Sequence, residues 1–293
     1  MAVPSTDRVP SMRPPAPSTA PTESVPHRNG GGAQHLAVAV LLTGLLVAPH
    51  LLAAPPVGNF EARYRVEEGD RLVGETRLIL HWTGNRYHLR SESRPRGWLA
   101  LLHRDEVIEE SEGEWEAEGG RPLRYQYRHR RLGDDRRLTM RFDWQRRRLA
   151  ITSEGETWHT SLQPAVQDKL SLRLAVMADL ATGRLPESYP VADGGPIRRW
   201  RFTLEGRESL DTPLGTLRTL RLVRHRPDRQ RISTIWHAVD LGYLPVRIDH
   251  RDADGRRARL VLESLEGITP GEEVEASGRE GPADQAFGSV TPR

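Results

Sequence analysis

FEARYRVEEGDRLVGETRLILHWTGNRYHLRSES, residues 60–93, decides the fold of this chain. Tyr64 and Val66 alternate with charged neighbours, Leu78, Leu80 and Trp82 fall at every second position, and Tyr87 and Leu89 repeat the pattern. Successive side chains of a strand point to opposite faces, so this period marks strands with one buried face. Gly69-Asp70 and Gly84-Asn85 interrupt the runs with residue types that tight turns favour. The stretch predicts three strands of an antiparallel meander.

The same rhythm continues on both sides of one exception. EVIEESEGEWEAEGGRPLRYQYRHRR (106–131) and RRLTMRFDWQRRRLAITSEGETWHTSL (136–162) put Tyr125 with Tyr127, and Leu138, Met140 and Phe142, on single faces. IRRWRFTLEGRESLDTPLGTLRTLRLVRH (197–225) does so with Trp200, Phe202 and Leu204, and RISTIWHAVDLGYLPVRIDH and RRARLVLESLEG follow, joined by a hairpin turn at Asp254-Gly255. About ten strands at this spacing give the rhythm of a barrel, half-barrel or sandwich. No composition break divides residues 57–268, so the expectation is one mainly β domain, a single curled antiparallel sheet with one packed helix.

The exception is AVQDKLSLRLAVMADLATG, residues 165–183. Val166, Leu170, Leu174, Met177 and Leu180 recur at helical spacing, Pro164 bars extension backwards and Gly183 ends the run. Asp168 sits where a helix cap belongs: its carboxylate is expected to accept from the N–H of Leu170 or Ser171, with Ser171 at the third helical position. A nucleophilic Ser171 would need a base in contact and an oxyanion hole, and neither Gly-x-Ser-x-Gly nor Ser-x-x-Lys surrounds it. Asp168 and Ser171 therefore read as structural, and no catalytic residue is assigned.

Composition narrows the function. The chain has 293 residues with 43 Lys+Arg against 40 Asp+Glu, a formal net charge of +3, and blocks of one sign are short. That balance gives no nucleic-acid footprint. Lys169 is the only lysine, so nearly all positive charge is arginine, which reads first as a solvated outer face. There is no cysteine, hence no disulfide framework, thiolate metal site or cysteine nucleophile.

Residues 1–35 are rich in Pro, Ser, Thr and Gly and are expected to be disordered, as are residues 269–293. Between them and the domain stands HLAVAVLLTGLLVAPHLLAAPP, an apolar run that follows Arg28 and ends in Ala53-Ala54. This is the layout of a secretory signal, residues 36–54, with cleavage near Ala53 or Ala54. An uncleaved inner-membrane anchor facing the periplasm is the other reading. Both place the domain in the periplasm.

Other clusters carry less. In HRDE, His103, Asp105 and Glu106 suggest acid–base or metal chemistry, but Asp105 and Glu106 are adjacent on one strand and point apart. DADG at 252–255 begins like a calcium loop, yet Val261 stands where the bidentate Glu would fall. No metal site or cofactor is called for. The aromatics Trp82, Trp98, Trp236 and Tyr243 are candidate lining residues for an apolar ligand, Trp98 lying in the apolar cluster RGWLALLHR.

The fragments FEARYRV, GETRLIL, NRYHLRSES, RPLRYQYR, RLTMRFDW, QDKLSL, ESYPVADGG, LDTPLGTLRTLRLVR and WHAVDLGYLPVRID occur in an order that resembles the bacterial exported family catalogued as domain of unknown function 3108. The resemblance spans about residues 58–267 and implies an envelope-facing β-rich protein; it carries over no activity or site residue. The resulting expectation is a non-enzymatic periplasmic protein that binds an apolar or amphipathic envelope component, a lipid among them, or an envelope protein partner. A hydrolase or transferase using carboxylates and histidines, and a structural scaffold, are the alternatives.

Overall fold

The computed structural model describes residues 55–97, 105–131, 133–226 and 231–268. The signal-like segment, Trp98 with its apolar cluster, His103 and both terminal extensions lie outside them. The elements run β1 (Phe60–Glu68), β2 (Arg71–Thr83), β3 (Arg86–Pro95), β4 (Glu106–Glu116), β5 (Gly119–Arg131), β6 (Asp134–Asp143), β7 (Arg148–Ser153) and β8 (Glu156–Ser161). Helix α1 (Ser171–Ala181) follows, then β9 (Ser188–Val191), β10 (Arg198–Thr212), β11 (Gly215–Arg226), β12 (Arg231–Ala238), a 3-10 turn (Val239–Leu241), β13 (Leu244–Arg251) and β14 (Arg257–Glu266).

The strands form one antiparallel sheet in the order β8-β7-β6-β5-β4-β3-β2-β1-β14-β13-β12-β11-β10-β9. Two meanders, β1 to β8 and β9 to β14, are sewn together where β1 meets β14, with Arg65 opposite Val261. The sheet is mainly β architecture that curls without closing, because β8 and β9 remain its edges. Fourteen strands exceed the ten expected. The difference includes short elements such as β8, whose ETWHTS buries no side chain fully, and the four-residue β9; neither has enough alternation to be read alone.

Curvature comes from the backbone as well as from twist. Register shifts interrupt the ladders at Val66/Glu67, Glu112/Gly113, Leu204/Gly206 and Trp236/His237, and each extra residue bends its strand. The gap between the edges is bridged by the segment before α1: Gln167 pairs with Val191 after β8 and donates from Nε2 to Gly120 O on β5 at 2.9 Å. After β9, Gly194 lies against Leu138 of β6 so closely that a Cβ would stand 2.8 Å from Leu138 Cδ2, and its φ of +97° excludes a side chain on a second ground.

Inward positions make the core: Tyr64, Leu78, Leu80, Leu89, Tyr125, Met140, Leu149 and Ile151 are buried, with Leu170, Leu174 and Leu180 of the helical segment packed inside the curl. Helix α1 rests on β5. Outward positions carry ion pairs, across strands as between Arg86 and Glu114 at 2.9 Å, and along one strand as between Arg94 and Glu92 at 2.7 Å. The arginine-rich outer face is thus largely neutralised by its neighbours, each exposed pair being worth about 0.2–1 kcal/mol.

Candidate functional site

The QDKLS segment enters the interior as a hydrogen-bonded turn. Asp168 Oδ1 accepts from the N–H of Leu170 at 2.8 Å and of Ser171 at 2.9 Å, and Asp168 O accepts from Leu172 N–H at 3.1 Å, the first bond of the helical ladder. Ser171 is the first residue of the regular helix rather than the third, because the turn 168–170 only leads into it. Its hydroxyl accepts from Asp168 N–H at 2.9 Å. Asp168 Oδ2 accepts from Ser111 Oγ at 2.6 Å, and Ser111 lies 3.4 Å from the Tyr87 hydroxyl. Asp168 is wholly buried, and burial, outweighing these donors, pushes its carboxyl up to about 6.

Lys169 turns toward Glu109, its Nζ 2.5 Å from Oε1, and sits 4.8 Å from the centre of the Tyr127 ring. Tyr125 donates to the same Glu109 oxygen at 2.5 Å. Both charged side chains are under a tenth exposed. A compact ammonium fits between carboxylate and ring faces where a planar guanidinium needs more donors matched. The Ser171 hydroxyl is held within the turn, beside the carboxylate and backbone of Asp168.

Next to this network lies a narrow cavity of about 70 Å³. Lys169, Leu172, Arg173 and Val176 line it from the helix at i, i+3, i+4 and i+7 spacing. Phe202, Ile235, Ile248 and Leu260 line it from β10, β12, β13 and β14. Its polar members are Glu109, Arg224, His237, His250 and the indole of Trp200. Arg224 stands opposite Ser233 on β12 and His237 is four residues beyond it, so the two ends lie about 13 Å apart along the strand.

The ends differ. Around Trp200, Arg224 donates to Ser233 Oγ at 3.0 Å and covers the Trp200 face at 4.9 Å; Arg226, paired with buried Asp193 at 2.6 Å, covers it at 4.3 Å. At the other end His237, 2% exposed, donates from Nδ1 to Tyr243 O at 2.7 Å. Burial, helped by the charge of Arg173, lowers His237 to about 4, so the ring is neutral and Nε2 is an acceptor. That Nε2 has no partner among the described residues. The Arg173 charge also acts on the Tyr64 hydroxyl, which donates to Pro245 O at 2.8 Å.

The aromatics singled out from the sequence stand elsewhere. Trp82 packs edge-on against Tyr87 and Trp115 and donates from Nε1 to Val57 O at 3.0 Å. Trp236 donates to Glu208 at 2.6 Å beneath Arg247. Tyr243 occupies a left-handed position, φ 60°, and supports His237 through its carbonyl. None of the three lines the cavity, since each is held at a strand end, on a neighbouring position of β12 or in the turn before β13. Trp200 and Phe202 line it instead. The missed clue was polar: Arg173 among Leu172, Leu174 and Val176, and His237 after Ile235, are charged or polar residues on otherwise apolar faces.

Asp105 is buried against His129, while Glu106 turns outward to Arg94 and Arg130. Among the described residues no three His, Asp or Glu side chains are grouped to hold a metal, and no helix is long and apolar enough to cross a membrane.

The family described as Protein of unknown function (DUF3108) matches residues 59–262. The chain belongs to DUF3108. The match begins at β1 and ends within β14, so DUF3108 here means the curled sheet together with α1 and the cavity. No curated protein matches the sequence. Among solved structures, a beta-barrel-like protein of domain of unknown function DUF1849 from Brucella abortus is 8% identical with a TM-score of 0.52, over 73% of this chain and 98% of that one. The likeness is one of fold. A candidate lipoprotein of Parabacteroides distasonis is 7% identical with a TM-score of 0.31, over 72% and 97% of the two chains. A candidate exported protein with a YmcC-like fold from Bacteroides fragilis is 9% identical with a TM-score of 0.28, over 72% and 97%.

Proposed function

We propose that this DUF3108 protein is exported to the periplasm and is a non-enzymatic binding protein that holds an apolar or amphipathic component of the cell envelope in the cavity beside α1. The observation that carries the reading is the cavity itself: apolar walls from one helix face and four strands, with polar groups gathered at its two ends. Apolar walls with a few placed polar groups are the usual composition of small-molecule sites. Export is supported by the apolar run and small residues of 36–54.

The neutral dye N-phenyl-1-naphthylamine, which fluoresces in apolar surroundings, tests the cavity directly. Saturable enhancement with the wild-type protein, reduced by Val176→Phe, is the expected result. No enhancement with folded wild-type protein would overturn the reading.

A further inference from the structure

Resting on the cavity reading, we infer that its Arg173–His237 end is an anion site, which receives the oxyacid head group of a single-chain amphiphile whose alkyl chain lies toward Phe202. Three features point there. Arg173 borders the cavity, and no described carboxylate pairs with its guanidinium. His237, nine-tenths buried and more, lines the same cavity with an unpartnered Nε2. Lys169, Arg173 and Arg224 line the space against the single carboxylate of Glu109, which Lys169 and Tyr125 already hold.

A cation bordered by apolar walls is unfavourable unless a counter-charge meets it. At the opposite end Arg224 is engaged by Ser233 and by the Trp200 ring, so Arg173 is the cation left to take a ligand charge. An oxyacid suits both groups. The anionic oxygen of a carboxylate or phosphate pairs with the guanidinium, and the remaining hydroxyl of a singly protonated phosphate also donates to Nε2. A neutral ester lacks the charge that the guanidinium calls for. Between the ends, Leu172, Val176, Ile235, Ile248 and Leu260 offer only hydrocarbon over about 13 Å of strand, close to the length of an extended chain of a dozen carbons. Of the other unpartnered groups, Trp115 Nε1 and Gln167 Oε1 do not border this cavity, while Trp200 Nε1 does so at its opposite end, where it can only donate.

The test loads the purified protein with N-phenyl-1-naphthylamine and displaces it with dodecanoate, dodecyl phosphate or neutral 1-dodecanoylglycerol. The anionic ligands should displace the dye about tenfold or more better than the glyceride, a difference of a size typical for a charge-assisted contact. Arg173→Gln should erase that preference and Arg173→Lys should keep it, which separates charge from folding. Whichever of dodecanoate and dodecyl phosphate competes better names the source as a fatty acid or a phosphorylated lipid. Equal displacement by anionic and neutral ligands, or a preference that survives Arg173→Gln, overturns the anion site alone. Absence of dye uptake by the wild type overturns the cavity reading and this inference with it.

Discussion

Asp168 and Lys169 face β3–β5, where Ser111, backbone N–H groups and Glu109 meet their charges. Arg173, one helical turn further on, and His237 face the cavity bordered by β10–β14, where Arg173 has no described carboxylate and His237 Nε2 no described partner. A single segment of about ten residues thus serves two surroundings. Buried polar groups that are satisfied fix the packing of a core. Those left open next to empty space fix the chemistry of what enters it. Lys169 and Glu109 border the cavity too, so on the proposed reading the contrast separates a half of the site whose charges are met within the protein from a receiving half whose polar groups are left for a ligand.

The sharpest way to break the contrast is to remove one cation from each side. Lys169→Met leaves Glu109 buried without its cation, and should lower unfolding free energy in urea by about 3–5 kcal/mol. Arg173→Gln should change it by less than about 1 kcal/mol, since no protein partner is lost. Equal losses would erase the distinction. Truncation of apolar residues should follow the same division more gently. Leu174→Ala, in a filled position, is expected to cost about 4 kcal/mol, and Ile248→Ala, beside existing empty space, about 2 kcal/mol.

The two halves should also answer pH with opposite signs. Asp168 has a folded value of about 6, above an unfolded value near 3.9, so its stabilising share is complete below about pH 4 and is lost as pH rises through 6. His237 has a folded value of about 4, below an unfolded value near 6.5; its share is complete above about 6.5 and is lost as pH falls toward 4. Each contributes at most roughly 3 kcal/mol, and across pH 4–6.5 they oppose one another. Urea midpoints of Asp168→Asn should therefore rise with pH more steeply than those of the wild type, and those of His237→Gln should fall. Parallel profiles for all three proteins would show that neither group titrates as its burial implies.

Period-two alternation made the sheet legible in the sequence, because inward Tyr, Leu and Trp positions recur between charges over most strands. The spacing of Leu170, Leu174 and Met177 likewise announced the helix, although it begins at Ser171, after Val166 and the Asp168 turn. What alternation does not show is which inward side chain touches another and which borders empty space. Trp200 and Phe202 share a face with Leu204, yet only the curl of the sheet brings that face opposite Arg173, and the partners of the cavity run from Glu109 to Leu260. Trp82 and Trp236 drew attention by size, and their indoles are engaged by Val57 and Glu208. Polarity on an apolar face, at Arg173 and His237, was the better guide than aromatic bulk.

Native mass spectrometry with lipid extraction, on the wild-type protein and Val176→Phe purified in parallel from the cell envelope, tests the receiving half most directly. The account predicts a reproducible bound amphiphile on the wild type and its loss when the added ring occupies the cavity. A bare wild-type mass, or the same bound molecule on both proteins, would contradict it.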